Sequence, residues 1–144
     1  MSKSTEPGGE AELIAAALAV ARNAYAPYSG FHVGAAVRDG EGRVHAGANV
    51  ENAAYPQGIC AEAAAIAGMV AAGGRRIGAI AVAGPGPGLC TPCGGCRQKI
   101  REFATAETPV LVCGAEGLRR RFTLGELLPE SFGPENLQGP AQGG

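Results

Sequence analysis

Cys60-Ala61-Glu62 and Thr91-Pro92-Cys93-Gly94-Gly95-Cys96 place three thiols in two segments whose first residues lie thirty-one positions apart, and a fold that uses them must bring both segments to one point. Cys93 and Cys96 are three residues apart, so a first helical turn sets both sulfurs on one face. Cys60 opens an alanine-rich apolar run to Ala72 that also reads as a helix. Three thiolates suit one zinc ion. Structural zinc sites fill all four tetrahedral positions with protein atoms, whereas hydrolytic sites keep three and leave the fourth for water. The ion then sits between two helix N-termini, whose partial positive charge lowers thiol pKa and offsets part of the thiolate charge. Glu62, two residues past a ligand, lies beside the open position as a base that ligation does not need.

Other donors compete poorly, with one exception. His32 and His45 are the only histidines, and both sit in segments that alternate like strands, so each reads as a structural strand residue rather than a ligand. Cys90 makes Cys90-x-x-Cys93-x-x-Cys96 a run of three, and spacing alone leaves open a structural site of Cys60, Cys90, Cys93 and Cys96, or a set of reduced, buried thiols. Glu62 favours the catalytic reading.

A cysteine ligand followed by x-Glu and later by Pro-Cys-x-x-Cys is the zinc-deaminase signature. Further segments narrow it: Tyr25-Ala26-Pro27-Tyr28-Ser29-Gly30-Phe31, Val33-Gly34-Ala35-Ala36, Asn49-Val50-Glu51-Asn52-Ala53-Ala54-Tyr55, Cys93-Gly94-Gly95-Cys96-Arg97-Gln98 and Leu127-Leu128-Pro129-Glu130-Ser131-Phe132-Gly133. Over residues 12–137 the chain closely resembles the small homotetrameric cytidine deaminases. The resemblance implies a three-layer α/β/α domain with a mixed, roughly five-stranded sheet, one Zn2+ per chain on Cys60, Cys93 and Cys96, and hydrolytic deamination of cytidine and 2′-deoxycytidine in pyrimidine salvage. It makes Glu62 the proton carrier and assigns the nucleoside to Phe31, Asn49, Glu51, Ala61 and Thr91. Asn49 and Glu51 hold the ribose hydroxyls, Phe31 packs on the nucleoside, and the Thr91 carbonyl meets the exocyclic amine. By the same resemblance, Tyr55 and Phe132 are expected to complete a neighbouring subunit's pocket. Without the resemblance, Asn49-Val50-Glu51-Asn52 is a polar strand end, and Tyr55 and Phe132 are ordinary core aromatics.

One position departs from the pattern. Family members with three cysteine ligands often carry arginine directly after the catalytic glutamate, where this chain has Ala63. Three thiolates on a dication leave about one negative charge in surplus. Helix N-terminal amides, or Arg97 reaching inward, are the candidates to take it up. Two rival functions stay in view: deamination of another cytosine nucleoside such as blasticidin S, and a non-catalytic zinc-binding module.

The remaining signals bound the class. With 144 residues, 46% of them hydrophobic, the chain supplies one domain, expected over 10–137, with enough apolar content to bury a core without staples. A net charge of −1 argues against nucleic-acid binding, and the only dense basic run, Arg119-Arg120-Arg121, alternates on an expected strand and reads as a solvated edge or subunit contact. Five cysteines, three of them metal ligands, suit a reducing compartment, the cytoplasm. The apolar run Leu13 to Ala21 is preceded by Glu6, Glu10 and Glu12, the wrong charge for a signal peptide, and is too short for a membrane span. Expected elements are helices at 10–24, 60–72 and 93–103, strands at 32–38, 43–48, 77–83, 109–113 and 119–123, and a short helix after Thr123, an α/β layered order. Asp39-Gly40-Glu41-Gly42 reads as a hairpin turn, and the Gly-, Ser-, Pro- or Gln-rich residues 1–9 and 138–144 as disordered tails.

Overall fold

The computed structural model describes residues 7–137. In chain order they form α1 (Pro7–Ala21), β1 (Gly34–Asp39), β2 (Val44–Ala48), a 3-10 turn (Tyr55–Gln57), α2 (Ala61–Ala71), β3 (Ile77–Ala83), α3 (Gly94–Phe103), β4 (Pro109–Gly114), β5 (Gly117–Thr123), α4 (Leu124–Leu127) and a last 3-10 turn (Pro134–Asn136). The five strands make one sheet in the order β2-β1-β3-β4-β5. β3 and β4 pair in parallel across the α3 crossover, and the other neighbours are antiparallel.

Alternation of side chains along the strands builds the layers. β1 sends Ala35 and Val37 to one face and Ala36 to the other; β3 sends Ile80 and Val82 to the first and Ala79, Ala81 and Ala83 to the second. On the first face lie α2, through Ala61, Ala65, Ile66 and Met69, and α3, through Ile100. On the second lies α1, through Leu13 and Ala17. The architecture is therefore the expected three-layer α/β/α sandwich with a mixed five-stranded sheet.

The helices are seated on bare backbone at two places. A Cβ at Gly34 would lie 2.1 Å from the Ala17 carbonyl oxygen of α1, and one at Gly47 would lie 2.4 Å from the Ala65 nitrogen and 2.8 Å from the Ala64 Cβ of α2. Gly47→Ala must push back the helix that carries Cys60 and Glu62 at its start. It is expected to destabilise the fold by about 3 kcal/mol, as overpacking does. The check is a lower urea midpoint at unchanged m-value; an unchanged midpoint would show that α2 can lift freely.

Asp39 ties the β1–β2 hairpin. Its carboxylate accepts from the amides of Glu41 (2.9 Å) and Arg43 (3.0 Å) and from Arg43 Nε (2.9 Å), and it pairs with His45 Nε2 at 2.8 Å. Burial opposes its ionisation, but the hydrogen bonds from His45 and Arg43 outweigh that and hold its pKa at about 2. His45 is thus the structural strand residue its pattern implied. His32 is not in a strand: β1 starts two residues later, because the Asn49 carboxamide takes the Val33 amide at 2.9 Å.

Element ends shift for local reasons. α1 begins at Pro7 rather than at 10, since proline suits a first helical turn whose amide needs no partner. The rest of the expected tails, 1–6 and 138–144, lies outside the described residues. The arginine run lies on the edge strand β5, where Arg119 pairs with Glu116 at 2.7 Å, Arg121 with Glu10, and Arg120 covers the Phe122 ring. No helix among the described residues is long and apolar enough to cross a membrane.

Candidate metal centre

Two helix starts converge on the first face of the sheet. Cys60 is the N-cap of α2 and Cys93 the N-cap of α3, both in extended backbone (φ −74° and −68°), while Cys96 stands in the first turn of α3. Their three sulfurs all lie within 4.8 Å of one another. Four sulfurs arranged tetrahedrally around zinc at about 2.3 Å sit about 3.8 Å apart. A spread of no more than 4.8 Å is close to that spacing, and three thiols are soft donors of the kind zinc takes, so the donor set fits a zinc ion. Cys90 is outside the trio: it packs on the backbone at Gly84, where an added Cβ would lie 2.4 Å from its own. Among the described residues the four-cysteine alternative therefore has no geometric support. Cys113 is a buried thiol, donating to the Val82 carbonyl at 3.4 Å and pushed up to about 11 by burial.

The charges are arranged for a cation. Burial pushes the Cys60 and Cys96 thiols up, against a hydrogen bond with the Cys96 thiol at Cys60 and aided by Glu62 at both, whereas the Cys96 amide, donating to the Cys93 sulfur, holds Cys93 down. Glu62, in the first turn of α2 and 5% exposed, is raised by burial and lies against the Cys96 thiol with Lys99 nearby. A dication among these groups turns mutual repulsion into attraction.

Arg97 takes a different part from the one the missing arginine suggested. Its guanidinium donates to the Pro92 carbonyl (2.7 Å), the Leu127 carbonyl (2.8 Å) and Thr91 Oγ1 (3.2 Å), so its hydrogen bonds go to the loop before α3 and to α4 rather than to the sulfurs. The next residues of α3 continue the clamp on the C-terminal segment. Gln98 Nε2 donates to the Phe132 carbonyl at 2.8 Å, and Arg101 to Ser131 Oγ at 2.8 Å and to both Glu135 oxygens.

Of the residues assigned to a nucleoside, Phe31, Asn49 and Tyr55 lie near Glu51. Asn49 donates from Nδ2 to the Phe31 carbonyl at 2.9 Å, and Glu51 accepts from the amides of Tyr28 (2.9 Å) and Ser29 (3.1 Å) and from the Ser29 hydroxyl. Both side chains thus turn to the same segment, as their i, i+2 spacing in extended chain requires. Tyr28, Ser29, Glu51, Asn52, Tyr55 and Gly58 line a recess of about 370 Å³. Tyr28 and Tyr55 meet edge to face with ring centroids 5.9 Å apart. Ala61 is buried at the start of α2, and Thr91 is half-buried in the loop that Arg97 holds. Tyr55 (77% exposed) and Phe132 (57%) are not core aromatics. Sequence alone assigns Ser29 no role, because its partner lies 22 residues away. A larger depression of about 700 Å³ between Arg75, Arg101, Thr105 and Glu130 contains none of the thiols or Glu62, so its size does not make it the centre.

The comparisons agree with this geometry. The family model described as cytidine and deoxycytidylate deaminase zinc-binding region matches residues 9–112. A cytidine deaminase of Sporosarcina psychrophila is 39% identical over 131 residues, 91% of this chain and 96% of that one. One of Mycobacterium tuberculosis (strain ATCC 25618 / H37Rv) is 41% identical over 117 residues, 81% of this chain and 84% of that one. A crystal structure of cytidine deaminase from Burkholderia pseudomallei superposes with a TM-score of 0.79 at 44% identity, covering 84% of this chain and 97% of that one.

Proposed function

Because the chain belongs to the cytidine and deoxycytidylate deaminase family, we propose that it hydrolyses cytidine and 2′-deoxycytidine to uridine and 2′-deoxyuridine, with zinc held by Cys60, Cys93 and Cys96. The observation that carries this reading is the convergence of three sulfurs within 4.8 Å beside a buried carboxylate that is not one of them. Zinc supplies the Lewis acidity that makes water nucleophilic near neutral pH. Glu62 moves the protons. Its carboxylate takes one from the attacking water and gives it to ring N3 as C4 is attacked. It then carries the proton of the new C4 hydroxyl to the amino group, so that N3 keeps one proton and ammonia leaves. Asn49 and Glu51 hold the sugar hydroxyls, Phe31 packs on the nucleoside, Ala61 lines the base end of the pocket, and the Thr91 carbonyl meets the exocyclic amine.

The assembly belongs to the same proposal. Tyr55 and Phe132, exposed in the single chain, enter neighbouring pockets of a homotetramer, and the apolar groove of about 680 Å³ over Ile66, Val70 and Phe103 is covered by another copy. The small-molecule substrate and the unpaired state of all five cysteines suit the cytoplasm. Light scattering tests the assembly, since a fully active monomer would contradict shared pockets.

The activity is tested by counting zinc in the purified protein and following ultraviolet absorbance with cytidine, 2′-deoxycytidine, cytosine, dCMP and blasticidin S. Near-stoichiometric zinc and turnover of the two nucleosides are expected. Turnover of blasticidin S alone, or of none of the five, would overturn the proposal.

A further inference from the structure

The Ser29 hydroxyl stands between two groups that the proposed function places on the nucleoside. It donates to Glu51 Oε2 and accepts from the Phe31 amide at 3.0 Å. An ionised carboxylate offers about four acceptor positions, two on each oxygen. On Glu51 the amides of Tyr28 and Ser29 occupy Oε1, and the Ser29 hydroxyl takes one position on Oε2. One position is left, and it is on Oε2. The Asn49 carboxamide has a comparable remainder: with Oδ1 taken by the Val33 amide and Nδ2 by the Phe31 carbonyl, it keeps one lone pair and one N–H. Two neighbouring sugar hydroxyls need this pairing of an acceptor with a group that both donates and accepts.

From this geometry we infer that Ser29 is a positioning residue for sugar recognition: it fixes the Glu51 carboxylate so that its one open acceptor meets a ribose hydroxyl, and links that direction to the Phe31 backbone. The inference rests on the deaminase reading. The hydrogen bond from Ser29, with those of the two amides, also holds the Glu51 carboxyl below its ordinary range, which keeps it an acceptor. Removal of the hydroxyl frees Oε2 to turn and leaves the Phe31 amide without its partner. The loss falls on sugar binding, not on the proton transfers at Glu62.

The test compares cytidine with 2′,3′-dideoxycytidine, which lacks the hydroxyls in question, in wild type, Ser29→Ala, Ser29→Cys and Ser29→Thr, with zinc counted in each. In Ser29→Ala the KM for cytidine is expected to rise about tenfold, the scale of one hydrogen bond to a charged group. Its kcat, its zinc and its KM for the dideoxy analogue stay near wild type. Ser29→Thr keeps the wild-type ratio of the two KM values. If Ser29→Ala does not fold, Ser29→Cys, a weaker donor of similar size, carries the same expectation of a reduced ratio. A KM change shared equally by both substrates, or no change, overturns the positioning role while leaving the deaminase reading intact. A zinc-loaded wild type that turns over neither nucleoside overturns both.

Discussion

Glu62→Gln is expected to lower turnover of cytidine by roughly 10²- to 10⁴-fold while the protein keeps its zinc, the range that a positioned general acid–base supplies. Three facts make the separation sharp. Glutamine preserves the volume of a side chain that is 5% exposed, so the packing at the start of α2 is undisturbed. The metal donors are the three sulfurs, and the carboxylate is not among them. An amide cannot accept the proton of the attacking water or return it to N3. The measurement is kcat beside zinc content by elemental analysis. Turnover within about tenfold of wild type would remove Glu62 from the proton path.

Cys96→Ala is the second large effect and has the opposite signature: zinc and activity are lost together. Cys96 is buried in the first turn of α3, and alanine leaves only the two N-cap sulfurs of Cys60 and Cys93. A bound zinc contributes on the order of 10 kcal/mol, so one ligand of three accounts for about 3 kcal/mol, over a hundredfold in affinity. The melting temperature should fall as well, because an ion that binds only the folded state stabilises it. Cys90→Ala is the control. It sits in the same Cys-x-x-Cys spacing but outside the trio, and it is expected to keep zinc and activity. Loss of zinc in Cys90→Ala as well would revive the four-cysteine site.

The contrast between Cys90 and Cys96 shows where sequence reading ends. Both stand three residues from Cys93, and spacing treats them alike. The loop before Pro92 turns Cys90 under Gly84, a contact between positions that no local pattern links. Legible features were local ones: the helix starts at Cys60 and Cys93, the Asp39–Gly42 hairpin, and the period-two alternation of β1, each set by residues a few positions apart. The parallel pairing of β3 with β4 was less so, because both strands are apolar on both faces and look alike in isolation. His32 reads as strand, yet the Asn49 carboxamide, sixteen residues past Val33, competes for the Val33 amide and delays β1. The same holds for Arg97, whose partner at Leu127 is 30 residues away and shows only in space.

α3 is a single rigid lever with two of the three clustered sulfurs at one end and the C-terminal segment along its side. Cys96 faces the Cys60 and Cys93 sulfurs, while Arg97, Gln98 and Arg101, within the next five residues, grip Leu127, Phe132, Ser131 and Glu135. A helix turn cannot rotate one of these residues and leave the others behind. The Cys96 sulfur and the segment bearing Phe132 are therefore registered to each other, and the orientation of α3 that would present Cys96 to a metal also sets where the chain's last described aromatic projects.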